Sequence, residues 1–182
     1  MATHKQHGGF TLIELMITLG VLAVVMSVGI PAFNSTITRN NVVAEANRLL
    51  SSINFARSQA VTKGQVVTLY RAGATSQNWS QGWFVFTDTG GEGVEDFVVG
   101  DIQLKNMETS ASSMTIQSNI SASNAISFNA SGRIINLGNI ELAICDSNLT
   151  SNVPGRLIEI NRVGRTTISR IDIADLAANC VP

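Results

Sequence analysis

A chain of 182 residues, 45% hydrophobic and 14% charged, is long enough to form one domain with a core of its own. Twelve Lys+Arg against 13 Asp+Glu leave a net charge of −1, which excludes a generally basic nucleic-acid binder and an acidic disordered tail. The two histidines, His4 and His7, precede the first apolar run, and Cys145 and Cys180 lack C-x-x-C spacing. His-based triads, a closed zinc site and a dithiol redox motif are therefore excluded. No phosphate-binding glycine loop occurs either, so the chain does not read as an enzyme, and neither cofactor nor metal is expected.

Residues 1–9, MATHKQHGG, are polar and carry Lys5; an apolar run then extends from Phe10 to Phe33 with Glu14 as its one charge. From Leu15 to Thr38 there is no ionisable side chain, and about 20 apolar residues suffice to cross a bilayer as a helix. Lys5 ahead of the run favours a cytoplasmic N-terminus and an exported C-terminal part. Three readings compete. A cleaved secretory signal would need a small-x-small site, for which Ser27-Val28-Gly29 is a weak candidate followed by more apolar chain. A plain anchor leaves Glu14 unexplained, since a carboxylate inside a membrane helix costs about 2.5–3.5 kcal/mol on insertion scales. The third reading cuts the chain between Gly9 and Phe10 and retains the helix. Glu14 then becomes the fifth residue, close to a new α-amine.

Gly9-Phe10-Thr11-Leu12-Ile13-Glu14, after a short basic leader and before an uninterrupted apolar helix, resembles the processing signal of type IV pilins and type II secretion pseudopilins. The resemblance implies cleavage after Gly9 by a prepilin peptidase and N-methylation of Phe10. It also implies residence in the inner membrane with the C-terminal part periplasmic, then stacking with other major and minor pilins into a surface filament. Pro31 falls where such proteins often carry a helix-kinking proline. In that setting Glu14 is expected to pair with the α-amine of a neighbouring subunit. A buried ion pair adds little net stability but penalises misregistered neighbours. The expected organisation is a leader at 1–9, an apolar transmembrane and filament-core helix at 10–33, and an exported domain at 34–182.

The helical pattern continues beyond Pro31. Val42/Val43, Ala46, Leu49/Leu50, Ile53, Ala56 and Ala60 recur at three-to-four spacing, and Gly64 is a natural stop. Short strands are then predicted at 65–72, 83–87, 97–105, 114–117, 125–129, 141–145, 156–162 and 165–173, divided by Gly- and Asn-containing turns. A long helix followed by consecutive strands predicts an α+β fold, with the N-terminal helix laid on an antiparallel β-sheet.

Asn54-Phe55-Ala56-Arg57-Ser58-Gln59-Ala60, Gly64-Gln65-Val66-Val67, Gly82-Trp83, Phe128-Asn129 with Gly132, and Gly164-Arg165 together resemble the FimU/FimT-type minor pilins and the H-type pseudopilins. This implies a minor subunit, in or priming a pilus. The alternatives are a secretion pseudopilin and a DNA-binding minor pilin.

Outside the cytoplasm, Cys145 and Cys180 suit a disulfide stapling the C-terminus to the sheet; two buried thiols are the alternative. Asp88, Glu92, Glu95 and Asp96 lie in a Gly-rich stretch whose spacing fits a solvated hairpin tip better than a Ca²⁺ loop. Trp79 and Trp83 are expected in the core. Arg156, Arg162, Arg165 and Arg170 form a local positive excess and are the candidate DNA contacts, because guanidinium groups suit phosphates. The G-R-x-R pattern of DNA-binding relatives is incomplete here, since Thr167 follows Thr166. Five N-x-[ST] sequons, at Asn34, Asn78, Asn119, Asn129 and Asn148, are no more than a Ser/Thr-rich chain gives by chance.

Overall fold

The apolar stripe from Val42 to Ala60 lies on one face of a helix, and a face of that width must be covered. The computed structural model describes residues 10–73, 78–90, 97, 100–108, 113–119, 124–135, 138–148 and 153–180. Helix α1 (Leu12–Lys63) contains Pro31 in its interior and buries Val42, Glu45, Ala46, Leu49, Ser52, Ile53, Ala56 and Ala60. Gly64, with φ of 66°, ends it in the left-handed conformation that glycine adopts without strain, and its N–H bonds the Ala60 carbonyl at 3.0 Å.

The chain divides into two compact units, Met1–Ile37 and Thr38–Pro182. Among the described residues of the first unit every side chain is exposed. The second unit holds the core. Strands β1 (Val66–Arg71), β2 (Gly82–Asp88), β3 (Ile102–Glu108) and β5 (Ala125–Phe128) form an antiparallel sheet in the order β3-β2-β1-β5. Strands β4 (Met114–Ser118), β6 (Ile140–Asp146), β7 (Gly155–Ile160) and β8 (Thr166–Ile171) form a second, in the order β4-β6-β7-β8. Every strand pairing among the described residues is antiparallel.

Alternation along each strand sends one set of side chains inward. Val67, Leu69, Trp83, Val85, Ile126 and Phe128 of the first sheet join Ile116, Ile140, Leu142, Ile144, Ile158 and Ile160 of the second and the stripe of α1 in one cluster. Trp79 and Trp83 are fully buried in it, as expected. The outer face of the first sheet carries Tyr70, Phe84 and Phe86 side by side, with Phe97 edge-on to both phenylalanines.

The α+β expectation holds, with two four-stranded sheets where one was predicted. The pattern of apolar residues along a strand does not say which sheet it joins, and here both sheets share one core with the stripe of α1. The third strand begins at Ile102, not at residue 97, and Phe97 instead packs on the aromatic face. After Ile171 the chain turns through a 3₁₀ segment (Ile173–Asp175) into a short helix α2 (Leu176–Cys180) that strand propensity did not reveal.

Candidate functional site

At the start of α1, Thr11 and Glu14 satisfy each other. The Thr11 N–H and hydroxyl both donate to Glu14 Oε2 at 2.9 Å, and the Glu14 N–H donates to Thr11 Oγ1 at 3.3 Å. This is a capping box, with Thr11 before the first turn and Glu14 three residues on. It gives the one carboxylate of the apolar run a local reason to be tolerated. The T-x-x-E spacing is present in the sequence, and the structure adds this local partner to the neighbouring α-amine expected for Glu14. Among the described residues Glu14 Oε1 accepts no hydrogen bond, so one oxygen is open to a neighbour. Gly9 lies outside the described residues; Phe10 is exposed at the first described position. Helix α1 is apolar and long enough to cross a membrane.

At the other end of the chain, Cys145 and Cys180 form a disulfide, with Cα atoms 6.1 Å apart. It ties α2 to the outer face of the second sheet. There Ala143, Cys145, Ile171, Leu176 and Cys180 make a small apolar cluster with Leu157 beside it. Gly155 makes room for it: a Cβ there would stand 3.1 Å from Cys145 Sγ and 3.2 Å from Ile171 Cδ1.

The four arginines singled out in the sequence do not gather at one place. Arg156 and Arg170 are cross-strand partners near the open end of the β7–β8 hairpin, and Arg170 Nε lies 3.8 Å from Asp172. Arg162 and Arg165 sit in the turn at the opposite end, beyond the Ile160↔Thr166 pair. Arg165 borders a cleft of about 310 Å³ together with Asn139, Glu141, Glu159, Asn161 and Thr167. Glu92, Glu95 and Asp96 lie outside the described residues. Among the described residues no three His, Cys, Asp or Glu side chains gather as a metal site.

The Arg162–Arg165 turn has a twin. Asn129-Ala130-Ser131-Gly132-Arg133 and Asn161-Arg162-Val163-Gly164-Arg165 share the pattern N-x-x-G-R, and each is closed by an antiparallel pair, Phe128↔Ile134 and Ile160↔Thr166. In the first turn Asn129 Oδ1 accepts the N–H groups of Ser131 and Arg133, both at 3.0 Å. In the second, Asn161 Oδ1 accepts those of Val163 and Arg165 at 3.2 and 2.9 Å. Gly132 and Gly164 have φ of 73° and 75°. The turns abut: the Ile134 N–H reaches the Arg162 carbonyl at 3.2 Å. Arg57 of α1 clamps both, its Nε donating to the Gly132 carbonyl at 2.9 Å and an Nη to the Val163 carbonyl at 3.2 Å. The sequence shows Arg57 only as part of the segment 54–60 and gives Arg133 no role, although the repeated N-x-x-G-R pattern pairs the two turns.

A motif described as the prokaryotic N-terminal methylation motif matches residues 4–30, and the model described as type II transport protein GspH matches residues 45–164, well over half the chain. The chain belongs to the GspH family. As a GspH-family member with the methylation motif, it is a minor pilin or pseudopilin, and the motif implies processing by a prepilin peptidase and assembly with other pilins. Its fold is similar to the type IV minor pilin FimU of Pseudomonas aeruginosa in two crystal forms. One gives a TM-score of 0.56 at 23% identity over 72% of this chain and 90% of FimU, and the other 0.53 at 22% over 69% and 90%. The minor pseudopilin EpsH from the type 2 secretion system of Vibrio cholerae also matches, with a TM-score of 0.48 at 12% identity over 72% and 95%. A search of curated proteins by sequence gives no match.

Proposed function

We propose that this GspH-family chain is a minor subunit of a type IV pilus. It is made as a precursor, cut after Gly9 and N-methylated on Phe10. It waits in the inner membrane with residues 34–182 on the periplasmic side, then enters or primes the filament. The observation that carries this reading is continuity: the methylation motif runs without a break into the helix whose second half packs in the core of the GspH-matching region. Glu14 Oε1 offers a neighbour's α-amine its partner, while Oε2 remains held by Thr11. The fold shared with FimU supports a pilus as the destination. A second reading, a subunit of the type II secretion pseudopilus, is favoured by the description of the matching family. The four arginines that are candidate DNA contacts lie at two ends of a hairpin, an arrangement less suited to a continuous phosphate track.

The test is a deletion strain examined for surface pili and for exoprotein secretion. Loss of pili with secretion intact is the expected result, restored by the wild-type chain and not by a Gly9 substitution that blocks the cut. Intact pili with lost secretion would select the second reading instead.

A further inference from the structure

We propose that the paired N-x-x-G-R turns are the surface through which this subunit grips an acidic segment of another protein in its filament. The proposal rests on the filament-subunit reading above and names the contact. Arg133, Arg162 and Arg165 are exposed, and Val163, between the latter two, is 50% exposed. No side-chain hydrogen bond or ion pair engages any of the three guanidinium groups among the described residues. Arg48 and Arg170 have carboxylate partners and Arg57 has its two carbonyls.

The backbone beneath them is held firmly. Each turn is cross-braced by its own asparagine, the two turns are bonded to each other, and Arg57 fixes both to α1. A surface whose conformation is set in advance loses little entropy on binding. Unpartnered arginines around an exposed aliphatic residue match the composition of protein interface centres, where arginine is enriched. A duplex calls for a longer basic track than this compact corner of three arginines, and Glu141 and Glu159 at the Arg165 cleft confine an acidic partner to the Arg133–Arg162 side. The partner that fits is therefore a protein segment carrying Asp or Glu.

A photoreactive phenylalanine analogue placed at Val163 of the full-length chain in cells tests this. The same analogue at Leu19 in the apolar helix serves as a separate reporter of assembly. The expected result is an adduct from position 163 to a second protein bearing a methylation motif, mapped to an acidic segment. Its yield falls about tenfold when Arg133, Arg162 and Arg165 become Glu. Changing the mapped carboxylates to Lys restores it, and the Cys145–Cys180 disulfide persists throughout as a check on folding. Adducts at position 19 with none at 163, or adducts at 163 only to nucleic acid or indifferent to charge reversal, overturn the proposal and leave the filament reading standing. Failure at both positions overturns both.

Discussion

At Gly164 the two matching turns come so close that a methyl group has no room. A Cβ there would overlap the Gly132 carbonyl and stand 2.9 Å from Arg57 Nε, on a residue whose φ is already 75°. Gly64 has a similar φ of 66° and nothing within 4 Å of a Cβ. The pair separates backbone strain from collision. Gly64→Ala is expected to lower stability by about 1 kcal/mol, the left-handed cost alone, and Gly164→Ala by about 2–3 kcal/mol. Urea denaturation of the full chain in detergent reads both. Arg57→Ala strips hydrogen bonds from two carbonyls and is expected to cost about 2 kcal/mol. Lysine is a poor substitute, because a single ammonium does not reproduce the two-pronged reach of the guanidinium. Combined with Gly164→Ala, the losses should be less than additive, since both changes damage the same junction.

At the scale of elements, α2 has five residues, too few to stand as a helix on its own. Its seat is made by Leu176 and by the bridge from Cys180 to Cys145. Replacing both cysteines by serine should lower stability by about 3–4 kcal/mol, the chain-entropy value for a loop of this length. Amide exchange over 176–180 should then approach the rate of free peptide, while strands β6 and β7 stay protected. How far the elements were legible depends on how local their causes are. Helix α1 ended at Lys63 as read, because the stripe and Gly64 are both written in adjacent residues. Most strands fell within a few residues of their expected limits for the same reason. The division into two sheets was not legible, since it depends on which strands meet across the core. The short helix α2 was hidden because a disulfide and a two-residue contact hold it, not propensity. At the candidate site, the Gly9–Glu14 motif was plain. The union of Arg133 with Arg162 and Arg165 was not, because 27 residues of intervening sequence separate the two turns.

For the whole molecule, every buried hydrophobic residue among the described ones lies between Val42 and Cys180, within the unit that begins at Thr38. A chain shortened to start at Thr38 should therefore stay soluble without detergent and unfold in a single transition. Its stability should match that of the full chain within about 0.5 kcal/mol, the usual range for changes remote from a core. A loss well beyond that would mean that residues 10–37 support the domain.

The clamp made by Arg57 also sets an order in time. Its partners, Gly132 and Val163, lie 75 and 106 positions further along the chain. A ribosome adds about 5–20 residues per second, so on the order of ten seconds pass between the emergence of Arg57 and that of its last acceptor. Until that interval ends, the second sheet that covers the stripe from Val42 to Ala60 is incomplete, its strand β8 still unmade. In the meantime the uncovered stripe is an apolar surface open to aggregation. Slowing translation after Lys63 should therefore increase aggregation of this protein without changing the stability of the finished fold.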